Sequence, residues 1–253
     1  MSSHIQFERR DRSGTITLNA APLNVLGTAE VRELTDAFEA LRDCAVIMLQ
    51  ATGERAFCAG MQIADHTPDR APAMLDAFAQ LAHAMHASNA ALIAKIDAPA
   101  IGGGFELALL CDFIVASERA SFSLPEITLA ALPPVACELL PRVVGKQRAA
   151  DLILTGRVLD AQSAERWGIV SYLVPQDQLD DTARSLRDRL LAYSDDALRC
   201  GKHAIRLRSM REAFHIYTSD LLQTRDAAEG IAAFLQRRAP QWTWSLQTEE
   251  FSR

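Results

Sequence analysis

Ile101-Gly102-Gly103-Gly104-Phe105-Glu106-Leu107, continuing to Ser123-Leu124-Pro125-Glu126-Ile127, is the stretch on which the reading of this chain turns. Three consecutive glycines let a backbone turn tightly and approach a ligand with no Cβ in the way. The apolar, helix-favouring run Leu107-Ala108-Leu109-Leu110 follows at once, so the glycines feed a helix N-terminus. Free N–H groups and the helix dipole favour negative charge there. Glu106 falls in the first turn, and a second acid, Glu126, follows 20 positions later. Two carboxylates beside a donor-rich turn suit proton transfer next to a stabilised oxyanion.

On either side, apolar runs alternate with helical periodicity. Residues 5–9 and 15–18 predict strands of a hairpin, separated by the turn Asp11-Arg12-Ser13-Gly14. Thr28 is placed to cap a helix reaching about Arg42, with Val31, Leu34, Phe38 and Leu41 at helical spacing. Residues 45–51 and 91–96 are continuous apolar runs, as expected of strands buried on both faces. Pro68-Asp69 opens a long helix to about Ser88, and Phe113–Ala116 predicts another strand. This rhythm is α/β with crossover connections. Pro133-Pro134 starts a further helix, which Pro141 is expected to end or kink. Helices are then expected at 147–154, 161–167, 178–192, 195–208, 211–226 and 227–237, with one apolar break at 169–174. The division expected is an α/β core over residues 1–195 and a helical C-terminal region over 196–253.

Composition excludes several classes. A net charge of −6 without a basic block argues against a nucleic-acid partner. No run reaches the roughly 18 apolar residues that a membrane-crossing helix needs. Five widely spaced cysteines with no C-x-x-C pair fit buried thiols in a reducing compartment, not disulfides or zinc. Residues 1–6 contain no apolar signal region, so the expectation is a cytoplasmic protein. His83 and His86 lie three apart without a third ligand in view and read as surface or packing residues. Cys58 reads as a small buried thiol. The glycines lack the G-x-G-x-x-G spacing of a dinucleotide fold.

Six blocks in a fixed order then carry a family resemblance. They are Leu23-Asn24-Val25-Leu26; Ala56-Phe57-Cys58-Ala59-Gly60; Gly102 to Ala108 with Cys111-Asp112; Pro125-Glu126-Ile127; Leu154-Thr155-Gly156 with Ala161 to Val170; and Asp226 to Leu235. Over nearly its whole length the chain resembles the crotonase (enoyl-CoA hydratase/isomerase) family. The resemblance implies a spiral of stacked ββα units with a C-terminal helical trimerisation region, assembled as a homotrimer or dimer of trimers. It implies an acyl-CoA thioester substrate and no metal or other cofactor. Backbone N–H groups of Met61 and Gly103 would form an oxyanion hole, and Glu106 and Glu126 would act as acid and base on one water, adding it to an α,β-unsaturated thioester or removing it. Ala59, Gly60, Gly102, Pro134, Phe234 and Arg237 fall on positions that bind CoA or the acyl group, Arg237 from a neighbouring subunit.

Two positions depart from the family's pattern. Gln62 stands where Asp is common. Pro134 stands in place of a glycine-rich stretch that supplies an N–H near the second acid and its water, and proline cannot donate. The run Pro133 to Pro141, with His66, Pro68 and Asp69, is similar to the branch of cyclohexa-1,5-diene-1-carbonyl-CoA hydratases. A double-bond isomerase, and an acyl-CoA binder without turnover, are the alternatives to a hydratase.

Overall fold

The computed structural model describes residues 4–206 and 210–244. A six-stranded mixed sheet forms the frame, built from β1 (Ile5–Arg10), β2 (Ser13–Leu18), β3 (Val46–Ala51), β4 (Ala91–Ile96), β6 (Phe113–Ser117) and β9 (Tyr172–Val174) in that spatial order. Only the β1–β2 hairpin is antiparallel; β2, β3, β4, β6 and β9 run parallel. Parallel neighbours need crossovers, and α1 (Thr28–Ala40) and α2 (Ala71–Ala87) supply two of them.

The apolar runs are buried on both faces. On β3, Ile47 and Leu49 enter one core, while Val46 and Met48 enter the other. Val31, Leu34, Phe38 and Leu41 join the first core, together with Phe78, Leu81 and Met85 of α2. The second core is closed by Leu179, Ala183, Leu186 and Leu190, spaced along one stripe of α7 (Leu179–Leu191).

A smaller sheet pairs β5 (Ala100–Ile101) with β7 (Ser121–Ser123) and β7 with β8 (Leu159–Asp160). Two single bridges extend it, Cys58 to Ala100 and Leu26 to Met61. The small residues between 57 and 61 are thereby stitched between β5 and the 24–26 segment. Asn24 locks that segment from within. Fully buried and at a φ of 49°, it accepts the Ala20 N–H at 2.9 Å and donates to the carbonyls of Thr52 and Ala56 at 2.9 and 3.0 Å.

Several boundaries differ from the sequence expectation. Gly27, not Thr28, caps α1, with the Glu30 carboxylate accepting the Gly27 N–H; Thr28 is the first helical residue and bonds Asp65. Pro141 does not end α4 (Pro134–Val144), which stops at Gly145. A proline removes one intrahelical bond, and a short helix packed on its neighbours tolerates that loss. α5 (Lys146–Thr155) and α6 (Ala161–Arg166) follow. α8 (Asp195–Arg206) reaches the end of the described segment, so the last two residues of the expected 195–208 helix lie outside it. The expected helix over 211–226 is instead α9 (Met210–His215) and a π-helical turn over Ile216–Leu221; Thr224 then caps α10 (Arg225–Gln236) by accepting the Ala227 N–H. Buried Lys202 fastens α8 to the core by an ion pair with Asp112 at 2.6 Å.

Candidate active site

The glycine run opens α3 (Gly103–Leu109), with Gly102 as its N-cap at φ 55° and ψ −127°, a conformation that glycine adopts without strain. Gly102 donates to the Ser123 carbonyl at 2.9 Å, which brings the end of β7 and the following Glu126 beside the helix start. The fit is tight. A Cβ on Gly102 would lie 2.6 Å from Oε1 of Glu126, and one on Gly104 would lie 2.2 Å from the Cys58 carbonyl.

Across from this start sits the 58–61 turn. The Leu26 bridge uses the Gly60 carbonyl and the Gln62 N–H, so the N–H of Met61 faces the opposite way. The Met61 nitrogen lies against the helix start, where a Cβ on Gly103 would be 3.7 Å from it. Gly60, at φ 88°, comes so close that its own Cβ would be 3.2 Å from Gly103 N. Among the described residues no protein acceptor takes the N–H of Met61 or of Gly103. Two orphan donors therefore stand side by side, one of them in the first turn of a helix.

Glu106 is 3% exposed. Its Oε1 accepts two backbone N–H groups, from Val135 at 2.7 Å and Ala136 at 3.0 Å. These are the second and third residues of α4, whose cap and first residue are prolines without an N–H. Glu106 thus provides the cap that Pro133 cannot, from a different helix. Pro134 itself donates nothing; the donors at this helix start come from the next two residues, and they serve Glu106 and not Glu126. Burial is the largest influence on Glu106 and drives its pKa up to about 7; the Ala136 and Val135 N–H groups oppose this, and the nearby charge of Glu126 adds to it.

Glu126 lies in a 3-10 turn over Pro125–Leu129. Its Oε2 is buried with no hydrogen-bond partner among the described residues. Burial raises its pKa, opposed by its own N–H and by the charge of His66. His66 lies at the end of a 3-10 turn over Ile63–His66, with Nδ1 3.1 Å from the Gln62 carbonyl. A carbonyl only accepts, so Nδ1 carries the proton. The thiol of Cys137, the residue after Ala136, is pushed up by burial and then by the charges of both glutamates.

Of the residues singled out in the sequence, Ala59, Gly60, Met61, Gly102, Gly103, Glu106 and Glu126 form this one constellation, with the exposed ring of Pro134 at its edge. Phe234 and Arg237 do not join it. Phe234 is 82% exposed on α10 and Arg237 ends that helix in an exposed left-handed turn; no hydrogen bond or ion pair ties either to the site among the described residues. The sequence reading gives no role in the site to the Val135 and Ala136 N–H groups, to His66 or to Cys137. Only the first two carried a signal: a helix starting Pro-Pro has its free donors at the next two residues. Among the described residues there is no group of three or more His, Cys, Asp or Glu able to hold a metal ion, and no helix long and apolar enough to cross a membrane.

Comparison with known proteins gives this constellation a context. The family model described as enoyl-CoA hydratase/isomerase matches residues 10–245. A probable enoyl-CoA hydratase of Rhizobium meliloti is 40% identical over 249 residues, covering 91% of this chain and 94% of that protein. The 2,3-dehydroadipyl-CoA hydratase of Escherichia coli is 36% identical, covering 94% of this chain and 98% of its relative. The crystal structure of an enoyl-CoA hydratase from Bacillus anthracis superposes with a TM-score of 0.89 at 29% identity, over 96% of this chain and all of the other. The chain has the crotonase fold and belongs to the enoyl-CoA hydratase/isomerase family, as a hydratase-like lyase.

Proposed function

We propose that this enzyme adds water across the α,β double bond of an acyl-CoA thioester, or removes it, through an enolate held by the Met61 and Gly103 N–H groups. The observation that carries the reading is the pairing of buried Glu106 and half-buried Glu126, whose charge raises Glu106, with two orphan backbone donors at one helix start. The thioester oxygen gains charge as the nucleophile adds, and fixed donors stabilise it most in that state. Both carboxylates are raised, Glu106 to about 7, which favours a pair that works with one acid neutral and the other ionised. The ionised member takes a proton from water as the hydroxyl oxygen bonds to the β-carbon. The neutral member gives its proton to the α-carbon as the enolate collapses. The pair ends singly protonated, with the proton on the other acid. Oε1 of Glu106 already accepts two N–H groups, which leaves Oε2 to carry the moving proton.

CoA itself belongs to the substrate. Ala59, Gly60, Gly102 and Pro134 would line the thioester's path, and Phe234 and Arg237 would serve a neighbouring subunit. The exposed apolar side chains Ile205, Phe214, Tyr217, Ile231, Phe234 and Leu235 support residues 196–253 as the region that joins subunits into a homotrimer or a dimer of trimers. The α/β core of residues 1–195 carries the site, and a cytoplasmic location fits its five free thiols. The cyclic dienoyl substrate rests on the Pro133 to Pro141 run with His66, Pro68 and Asp69, and the compared relatives do not single it out.

The test is a panel of crotonyl-CoA, longer enoyl-CoAs and the cyclic dienoyl-CoA, following loss of the conjugated-thioester absorbance. Formation of a hydroxyacyl-CoA supports the reading. Deuterium uptake from solvent with a shifted double bond and no hydroxyacyl product would replace it with isomerisation.

A further inference from the structure

The 58–61 turn and the start of α3 meet at one side chain that no part of the proposed reaction uses. Cys58 is 0% exposed, and burial pushes its thiol up to about 12, so it is neither a nucleophile nor a target for modification. Its sulfur accepts the Gly60 N–H at 3.4 Å. Its carbonyl accepts the Ile101 N–H at 2.9 Å, one residue before the glycine run. Its backbone packs against Gly104 so closely that a Cβ there would be 2.2 Å from the Cys58 carbonyl.

The neighbouring polar groups are also committed. Ala59 donates to Leu23 at 2.9 Å, the Gly60 carbonyl accepts from Leu26 at 3.0 Å, and Gln62 donates to Leu26 at 2.8 Å. With the sulfur holding the Gly60 N–H, Met61 supplies the only N–H of residues 59–62 without a protein acceptor among the described residues.

We propose that Cys58 is a positioning residue that sets the separation of the Met61 and Gly103 N–H groups, by holding the turn through its sulfur and the α3 approach through its carbonyl. Without the sulfur acceptor the Gly60 N–H is buried and unpaired, and the Ala59–Gly60 peptide that carries it is free to turn toward another acceptor and shift the Met61 N–H next to it. The inference rests on the oxyanion role proposed for those two donors.

The test uses the full-length protein as wild type, Cys58→Ala and Cys58→Ser. Two quantities are read: kcat and KM with an enoyl-CoA, and the infrared carbonyl band of isotope-labelled hexadienoyl-CoA on binding. Cys58→Ala should lower kcat by about ten- to a hundredfold, the scale of a misplaced donor. KM should stay within about twofold, and the carbonyl shift should shrink. Cys58→Ser keeps an acceptor and should recover most of both. If the alanine protein does not fold, a folded serine variant that has lost the carbonyl shift overturns the proposal. So does an alanine variant with wild-type kcat and shift. Absence of any carbonyl shift in the wild type would instead sink the oxyanion reading, and the role of Cys58 with it.

Discussion

Val135 donates its backbone N–H to the carboxylate of Glu106 at 2.7 Å, across 29 residues of chain. The acid of one helix caps the next, because Pro133 and Pro134 leave α4 with free donors only at its second and third residues. A buried carboxylate is thereby fixed through one oxygen with the other free to exchange a proton.

Pro134 is therefore dispensable as a donor site. Pro134→Ala restores an N–H at a position Glu106 does not use, and it should keep turnover within about threefold. The cost should be limited to the lost rigidity of proline, about 0.5–1 kcal/mol in a denaturation midpoint. A hundredfold loss of kcat would show that the proline ring itself shapes the reacting complex.

Gly102 should tolerate no side chain. A Cβ would sit 2.6 Å from Glu126 Oε1, and a φ of 55° with ψ of −127° suits glycine alone. Gly102→Ala should displace Glu126 and cut kcat by about a hundredfold or more, with a melting temperature lowered by only a few degrees. Steady-state kinetics alongside a thermal melt would separate a displaced acid from a collapsed fold.

The buried acid also makes a thermodynamic prediction. Glu106 is raised from 4.5 to about 7 in the folded state, so folded protein holds this proton more tightly than the unfolded chain. Its contribution is most favourable below about pH 4.5 and is lost as pH rises through about 7. The shift corresponds to at most about 3 kcal/mol. Glu106→Gln keeps an oxygen for the two N–H groups and removes the titration. The variant should gain stability relative to wild type on going from pH 5 to pH 8, as measured by urea unfolding at each pH. An unchanged difference across that range would mean that Glu106 is not raised.

Asn24 should matter to stability and not to proton transfer. Its three buried hydrogen bonds join the segments that hold the 58–61 turn. Asn24→Ala should cost about 2–4 kcal/mol in chemical denaturation. A loss below about 0.5 kcal/mol, the ordinary range for surface substitutions, would contradict the clamp.

Much of this arrangement is legible in the chain because its signals are local. The runs at 45–51 and 91–96 show doubly buried strands, and Gly102-Gly103-Gly104 before an apolar helix shows a donor-rich turn. The small sheet is not legible: β5 and β8 are two residues long and β7 three, too short for any periodicity to emerge. The break inside 211–226 is hidden because a π-helical turn keeps much of a helix's pattern. The capping of α4 by Glu106 is a contact between residues about 30 apart, and nothing in the sequence specifies that pairing. The glutamates were readable as residues, whereas the donors that tune one of them become evident only in three dimensions.

The central claim is that Glu106 and Glu126 act as one acid–base pair on water. Its most direct test is the hydration rate of the preferred enoyl-CoA by wild type, Glu106→Gln, Glu126→Gln and the double variant. Each single change should lower kcat by about 10²–10⁴. The double variant should be little worse than either single, since two groups acting on one water are not additive. Wild-type turnover by both single variants would contradict the account.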